Sequence, residues 1–384
     1  MMPFLLVLLV GLLPYGAMAT HTTLLEPARH TLDLIYNMEF DAALEESQRL
    51  IERAPAHPAG YFYRAATYWQ WRLIATAPQQ RAAFLAHFDT ATQQAQERAA
   101  RLPDTQAAEA AFYLGAVYGM QARMHFVEQH YLRALHAAYQ GSQYLQRCVA
   151  RDPAWHDAYA GLGTYHYVLA RVPSLWRGIV EQVIGLAGDR DKGLQALEQA
   201  RSAGGLASAE AASLLAKIYA LPVEKQYDKA QALLAPLVQR YPNNSDYRYR
   251  LGVVCAGQAQ WVCAMEMQQY LIAEVQQGKA YHPPEGLPRF RYRLAEAYVF
   301  QRDTAAARAL LADLRAQELP PDLHAWVELR LGNLHDLHGE RQAAQAWYQG
   351  VQGNKEAEAQ AKLYMQRPFT PTPEGLKPLE HAVI

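Results

Sequence analysis

The sequence predicts an all-α fold, a right-handed solenoid of about eight helical hairpins. A pattern of helix-compatible residues recurs in order along most of the chain, from residue 28 to residue 353. Residues that favour helices, such as alanine, leucine, glutamine and glutamate, are abundant, and no run of alternating β-branched residues indicates a sheet. The 384 residues are 51% hydrophobic, enough for a large core, which a repeat array spreads along its length.

The clearest repeat unit is the stretch 207–242. Its regularly spaced positions are Leu215, Ala216 and Tyr219 on a first helix, and Tyr227, Ala230, Leu234 and Leu237 on a second. The second set is spaced 3, 4 and 3 residues apart, which gives one apolar stripe along a helix face. The small side chain of Ala230 lets two helices approach closely. Pro242 ends the second helix, because it has no N–H and disfavours helix in the preceding residue.

The order Leu-Gly/Ala-x-x-Tyr on one helix, followed by a central Ala and a terminal Pro on the next, resembles the tetratricopeptide repeat (TPR) of about 34 residues. The signature recurs on both sides of the unit 207–242. The matching positions are Phe40, Ala43, Pro55, Tyr61, Ala65, Tyr68, Leu114, Gly115, Tyr118, Leu162, Gly163, Leu251, Gly252, Trp261, Ala264, Leu294, Ala295, Tyr298, Ala307, Leu311, Leu331, Gly332, Gly339, Ala344 and Tyr348. The resemblance implies a TPR-like α-solenoid over residues 20–366.

Residues 1–19 have the features of a secretory signal peptide. An apolar run from Phe4 to Leu13 is followed by a Pro-Tyr-Gly break and by Ala-Met-Ala at 17–19, which fits an A-x-A cleavage site. About ten apolar residues are too few to span a hydrocarbon core of about 30 Å, which disfavours an uncleaved membrane anchor. No Cys follows the cleavage site, so a lipid anchor is not expected. We expect an exported protein, in a bacterial periplasm or, as the alternative, secreted.

Residues 161–205 interrupt the repeat rhythm with an apolar insert at 172–188. The insert separates a helix ending near Ala170 from a helix starting near Asp191. The order Gly-x-Tyr, a Pro, an apolar helix and then Gly-Asp-Arg-x-x-Gly-Leu is similar to the signature of the tetratricopeptide-repeat 39 and fungal inclusion-body clearance protein family. This resemblance implies a helical-repeat adaptor without enzymatic chemistry.

Two interpretations of the insert stay open. The insert is either a short helix that plugs the interior of the solenoid, or an apolar surface patch, Val172–Ala187, for a partner or for a membrane surface. In the plug interpretation Asp189 caps the following helix and Arg190 pairs with a nearby acid.

The last part of the chain contains two different segments. The polar stretch 354–366, NKEAEAQAKLYMQ, predicts a terminal helix that caps the exposed end of the array. Residues 367–384 are rich in proline and predict a disordered tail.

No sequence motif indicates catalysis. The chain has no Gly-x-Ser-x-Gly, no zinc-protease motif and no phosphate loop. His125 and His130 lie five residues apart, about 140° round a helix, and so diverge. We therefore expect no enzyme activity, no metal and no cofactor. The net charge of −1 and the pI near 6.9 show no excess of basic residues of the kind that binds nucleic acid, so we expect the protein not to bind nucleic acid.

These features favour a non-enzymatic scaffold or adaptor of the cell envelope that binds a protein or peptide partner in its concave groove. The candidate partner-binding residues, which mix aromatic and polar character as recognition surfaces do, are Phe62, Trp69, Phe112, Tyr167, Tyr249, Tyr292, Trp326 and Asn333. Two alternatives stay open: an envelope-associated enzyme, and a protein that binds lipid or a membrane surface through the apolar insert.

The sequence also predicts a disulfide between Cys255 and Cys263. An exported protein reaches an oxidising compartment, and these two of the three cysteines lie eight residues apart. The repeat pattern puts Cys255 near the end of one helix and Cys263 near the start of the next, where Cα atoms can come within the required 4.4 to 6.8 Å or so. The alternative is that both are small packing residues. With the bridge formed, Cys148 is left as a buried thiol near a helix end.

Overall fold

The structure, a computed structural model, describes residues 15–172, 178, 181–182, 187–203, 205–279, 282–372 and 375–377. In these ranges the chain is helical and forms no strand. The helices whose ends are described are α1 (Tyr15–Tyr36), α2 (Phe40–Arg53), α3 (Ala59–Ile74), α4 (Pro78–Ala99), α5 (Ala107–Val127), α6 (Tyr131–Arg151), α7 (Ala158–Ala170), α8 (Arg190–Ala203), α9 (Ser208–Tyr219), α10 (Tyr227–Arg240), α11 (Ser245–Gly257), α12 (Trp261–Gln276), α13 (Leu287–Gln301), α14 (Thr304–Arg315), α15 (Pro321–Leu337), α16 (Arg341–Gly350) and α17 (Lys355–Gln366). Of the predicted signal peptide, residues 1–14 lie outside the described residues, and residues 15–19 begin α1.

Successive helices pack in pairs, α1 with α2, α3 with α4, and so on to α15 with α16. Each pair also packs against the next pair along the chain. The prediction of an all-α, right-handed solenoid of about eight hairpins is confirmed. The terminal helix predicted for 354–366 is α17, which Asn354 caps by accepting the N–H groups of Glu356 and Ala357 at 3.0 Å.

The glycines of the repeat signature lie where the two helices of a hairpin come close together. A Cβ atom on Gly163 of α7 would lie 2.7 Å from the carbonyl oxygen of Gly193 on α8. A Cβ atom on Gly332 of α15 would lie 2.5 Å from the ring of Tyr348 on α16. Separations this short leave no room for a side chain, so the signature sets how closely the helices of a hairpin pack.

The first hairpin contacts the middle of the chain. Asp33 on α1 accepts hydrogen bonds from Nη2 of Arg240 (2.9 Å) and from the hydroxyl of Tyr241 (2.7 Å). Asn244, which caps α11, also donates to the carbonyl oxygen of Tyr36 (2.6 Å). The bonded residues are 207 and 208 positions apart in sequence. The solenoid therefore closes on itself between its first hairpin and the junction of α10 and α11.

Closure also places apolar residues of α1 in the interior of the N-terminal half. Leu24 and Ala28 are buried in one cluster with Tyr63 of α3 and Tyr113 of α5. Leu32, one turn further along α1, packs against this cluster and against the cluster formed by α9 to α12. The inner face of the N-terminal half is therefore packed at these positions.

The apolar insert lies mostly outside the described residues, so the choice between a plug and a surface patch for Val172–Ala187 is not decided by the structure. The residues that follow the insert agree with the sequence prediction. Asp189 Oδ1 accepts the N–H groups of Asp191 and Lys192 at 3.0 Å, which caps α8. Arg190 pairs with Glu224, with Nε 2.9 Å from Oε1.

The prediction of a disordered tail is wrong for the part of residues 367–384 that the structure describes. Residues 367–372 and 375–377, which we call the tail, fold back against the last three hairpins, and only 5% of Phe369 and 4% of Lys377 remain exposed. The composition argument failed because buried polar groups of the solenoid bind the tail, as described below. Residues 373–374 and 378–384 lie outside the described residues.

Cys255 and Cys263 are joined by a disulfide, with an S–S distance of 2.04 Å and Cα atoms 5.9 Å apart. The bridge connects the end of α11 to the start of α12, where the repeat pattern placed the two residues. Cys148 is a buried free thiol on α6.

Candidate binding groove

Three arginines occupy the same position in three successive hairpins. Arg250, Arg293 and Arg330 directly precede the Leu-Gly or Leu-Ala pair of the repeat signature on α11, α13 and α15. All three side chains are buried. A buried guanidinium is stable only when acceptors surround it, because burying an unpaired charge is costly. Arg250 meets its acceptor four residues earlier on α11, where its Nε donates to Oδ2 of Asp246 (2.8 Å). The other two arginines share a different acceptor.

Glu296 on α13 is the acceptor that two of these arginines share. Its Oε2 accepts from Nη1 of Arg293 (2.8 Å), and its Oε1 accepts from Nη2 of Arg330 (2.7 Å) and from the hydroxyl of Tyr292 (2.9 Å). Burial by itself would raise the pKa of Glu296, but the guanidinium groups of Arg293 and Arg330 outweigh burial and hold the pKa below its ordinary value. The carboxylate is therefore ionised at neutral pH, and two cations share one counter-ion.

The same groups bind the main chain of the tail. Nη2 of Arg330 donates to the carbonyl oxygen of Gly375 (2.6 Å), and Nη1 of Arg293 donates to the carbonyl oxygen of Lys377 (2.6 Å). The N–H of Lys377 donates to Oε1 of Glu296 (2.8 Å). Each bond has one ionised partner, which makes it stronger than a bond between neutral groups. These three hydrogen bonds involve only main-chain atoms of the tail, so they do not depend on which side chains the tail carries.

The beginning of the tail is held by an aromatic contact and by a carboxylate. The ring of Phe369 lies edge-on to the rings of Phe300 and Tyr364, with centroids 5.6 and 5.2 Å apart. Its N–H donates to Oδ2 of Asp336 (2.8 Å), which Arg341 also binds through Oδ1 (2.9 Å). The tail is therefore anchored at both ends of its described part. We call the surface that it covers, on α13, α15 and α17, the tail groove.

Four of the eight predicted partner-binding residues surround the arginines of the tail groove. They are Tyr249, Tyr292, Trp326 and Asn333. The hydroxyl of Tyr249 accepts from Nε of Arg293 (3.1 Å), Asn333 accepts from Nη1 of Arg330 (2.9 Å), and Trp326 lies against the Arg330 guanidinium. None of the four is more than 2% exposed. The expectation that they face a partner is wrong, because they pack behind the arginines and position them.

The other four predicted residues lie in the N-terminal half. They are Phe62, Trp69, Phe112 and Tyr167. Trp69 and Tyr167 are buried, and Tyr167 donates to Glu224 (3.0 Å). Phe62 and Phe112 are half-buried and pack against the cluster that includes residues of α1. The expectation of partner contact is therefore wrong for Trp69 and Tyr167, which neighbouring hairpins cover, and it stays a prediction for Phe62 and Phe112.

The residues that form the tail groove were not among the sequence candidates. Arg293, Glu296 and Arg330 bind the tail, and the tail itself was predicted to be disordered. One signal for the groove is visible in the sequence, since an arginine directly precedes the Leu-Gly/Ala pair in three successive repeats. A charged residue that recurs at a buried position of a repeat indicates a row of paired or ligand-binding groups.

A surface hollow of about 330 Å³ lies on the α5–α6 hairpin and is lined by Tyr118, Gln121, His125, Leu132, Arg133, His136 and Ala137. In the described ranges no three His, Cys, Asp or Glu side chains are grouped so that they could hold a metal ion. Among the described helices, none is both long and apolar enough to cross a bilayer.

No protein-family profile matches the chain, and no curated protein matches it. One solved structure that the fold is similar to is the human IFIT1 dimer with m7Gppp-AAAA, at a TM-score of 0.41 and 12% sequence identity. The match covers 89% of this chain and 86% of the IFIT1 chain. At this level of similarity it carries no inference about a ligand, and the expectation that the protein binds no nucleic acid stays a prediction.

Proposed function

We propose that the protein is a non-enzymatic scaffold that binds a segment of a partner protein or peptide in the tail groove. The observation that carries this proposal is the tail itself, which is bound there largely through main-chain atoms. The partner segment would take the place of the tail and accept the same hydrogen bonds from Arg293 and Arg330. Glu296 would accept its N–H group.

The free energy gained by docking the tail is comparable to the entropic cost of ordering it, so a partner can displace the tail. Four charge-assisted hydrogen bonds, at about 1.5 to 3 kcal/mol each, and the apolar side chains of Phe369 and Leu376, at about 1.5 to 3 kcal/mol each, favour docking. Ordering the described residues 367–372 and 375–377 costs about 1 to 2 kcal/mol per residue. The two contributions are of similar size, so the net free energy of docking is small compared with either. A net of about 1.4 kcal/mol already keeps the groove closed in about nine-tenths of the molecules, and a partner segment with better contacts can replace the tail.

The test is a selection of 12-residue peptides from a random display library on a variant that ends at Gln366, which leaves the groove empty. A chain that ends at Lys377 is the matched control, because it keeps the described tail. We expect the selected peptides to bind the chain ending at Gln366 about ten-fold or more tightly than either the control or the full chain. If the chain ending at Gln366 is folded by circular dichroism and enriches no peptide, the proposed function is wrong.

We also propose that the protein is exported, into a bacterial periplasm or, as the alternative, out of the cell. Residues 1–19 and the Cys255–Cys263 pair support this proposal, because structural disulfides persist in oxidising compartments. In protein unfolded without reductant, we expect thiol labelling to find one reactive cysteine, Cys148. The same chain produced in a reducing cytoplasm without residues 1–19 is the control and should label three. Three labelled thiols in the full-length protein would rule out the bridge.

A further inference from the structure

The tail also shows which segments the groove can accept. Gly375 lies in close contact with the groove. A Cβ atom there would be 2.8 Å from the hydroxyl oxygen of Tyr364 and 3.4 Å from the ring of Phe300. Tyr364 is itself buried among other rings and is 5.7 Å from Tyr348, centroid to centroid, so it has little room to move aside. A residue with any side chain is therefore excluded at this position unless the core shifts.

The backbone of Gly375 does not by itself require glycine. Its φ lies outside the left-handed region, so an alanine could adopt the same conformation without strain. The restriction at this position comes from the surface of the groove, which makes it a property that a partner segment must also satisfy.

Two further positions of the tail make contacts that depend on the side chain. Leu376 packs against both large clusters of the C-terminal half, the one formed by α9 to α12 and the one formed by α13 to α17. Phe369, six positions before Gly375, is buried against Phe300 and Tyr364. The N–H of Gly375 also donates to the carbonyl oxygen of Thr372 (2.9 Å), a hydrogen bond within the tail.

We propose that the partner of the tail groove is a protein segment with an aromatic residue and, six positions later, a glycine followed by an apolar residue. This proposal rests on the proposed function and deepens it. Phe369, Gly375 and Leu376 of this chain are the intramolecular form of that pattern. They compete with the partner segment, so the groove is closed by the tail until a matching segment displaces it.

The test uses a fluorescein-labelled synthetic peptide of residues 367–384 and the chain that ends at Gln366, with binding followed by fluorescence anisotropy. We expect binding, and we expect the peptide changes Gly375→Ala and Phe369→Ala each to weaken it about ten-fold or more. Thr370→Ala is the matched control, because Thr370 is exposed, and should change the affinity by no more than about two-fold. Equal affinity of the peptide with Gly375→Ala would overturn the proposed pattern.

A second measurement uses the full chain and does not depend on how the shortened chain folds. In the full chain, Gly375→Ala should loosen the tail and raise the affinity for the labelled wild-type peptide about ten-fold, whereas Thr370→Ala should leave it unchanged. An unchanged affinity in the full chain with Gly375→Ala would contradict the proposed competition between tail and partner.

The two proposals can fail separately. If library peptides bind but lack the glycine, the proposed sequence pattern is wrong and the proposed function stands. If no peptide of any kind binds, the proposed function is wrong.

Discussion

Replacing Glu296 by glutamine is expected to lower the free energy of unfolding by about 3 to 5 kcal/mol, because two buried guanidinium groups then lose their shared counter-ion. The side chains of Arg293 and Glu296 are 4% and 2% exposed, and that of Arg330 is fully buried, so water cannot replace the lost charge. Glutamine keeps the shape of the side chain and one acceptor oxygen, but its amide NH2 group replaces the other acceptor, and both oxygens of Glu296 accept from a guanidinium group. The loss therefore reports on the charge and on the lost acceptor together. Urea unfolding followed by circular dichroism measures the effect.

The matched control for this change is Glu45→Gln. Glu45 also pairs with an arginine, Arg49, at 3.6 Å, but its side chain is 71% exposed. An exposed pair contributes about 0 to 1 kcal/mol, so this variant should unfold almost as the wild type does. Equal stabilities of the two variants would show that water reaches the cluster around Glu296, and that a shared buried charge does not hold the tail groove together.

Replacing Trp326 by alanine is expected to cost about 3 to 5 kcal/mol, the range found when a large aromatic side chain is removed from a core. Trp326 is fully buried on α15 and belongs to the cluster formed by α13 to α17. Its removal leaves a cavity behind Arg330, whose guanidinium lies 5.3 Å from the Trp326 ring centroid. The melting temperature should fall accordingly.

Leu132→Ala is the control for the aromatic change. Leu132 is 85% exposed, and an exposed apolar side chain removed from the surface should alter stability by less than about 0.5 kcal/mol. The sequence-based expectation that Trp326 contacts a partner would instead give weaker partner binding. A variant that melts like the wild type and fails to bind peptides would support the sequence-based expectation and contradict the structure.

The fold could be predicted from the sequence because the features that specify each hairpin are local. Gly163 and Gly332 stand next to a leucine at a fixed position of the repeat, and each allows the close approach of a helix that follows soon afterwards in sequence. The disulfide partners are also close in sequence, and the hairpin brings them together. Contacts between residues close in sequence can be predicted without knowing how the rest of the chain folds.

The tail groove could not be predicted in the same way because its partners are distant in sequence. Arg293 binds a carbonyl oxygen 84 residues away, and Arg330 binds one 45 residues away. The repeat pattern identifies Trp326 and Asn333 as first-helix residues, but it does not show whether a first helix faces solvent or another part of the chain. The proline content of the tail indicated disorder. Composition gives no information about the buried arginines elsewhere in the chain that bind the carbonyl oxygens of the tail.

The contact between the first hairpin and the α10–α11 junction changes how the protein is expected to unfold. In an open array each hairpin touches only its neighbours, so the ends can fray without affecting the middle. Here the bond from Tyr241 to Asp33 joins residues 208 positions apart, and α1 cannot detach without breaking contacts made by the fifth and sixth hairpins. Forming such a contact requires closing a long loop, which slows folding. The contact therefore links the hairpins from the first to the sixth, and we expect α1 to open less readily than the end helix of an open array.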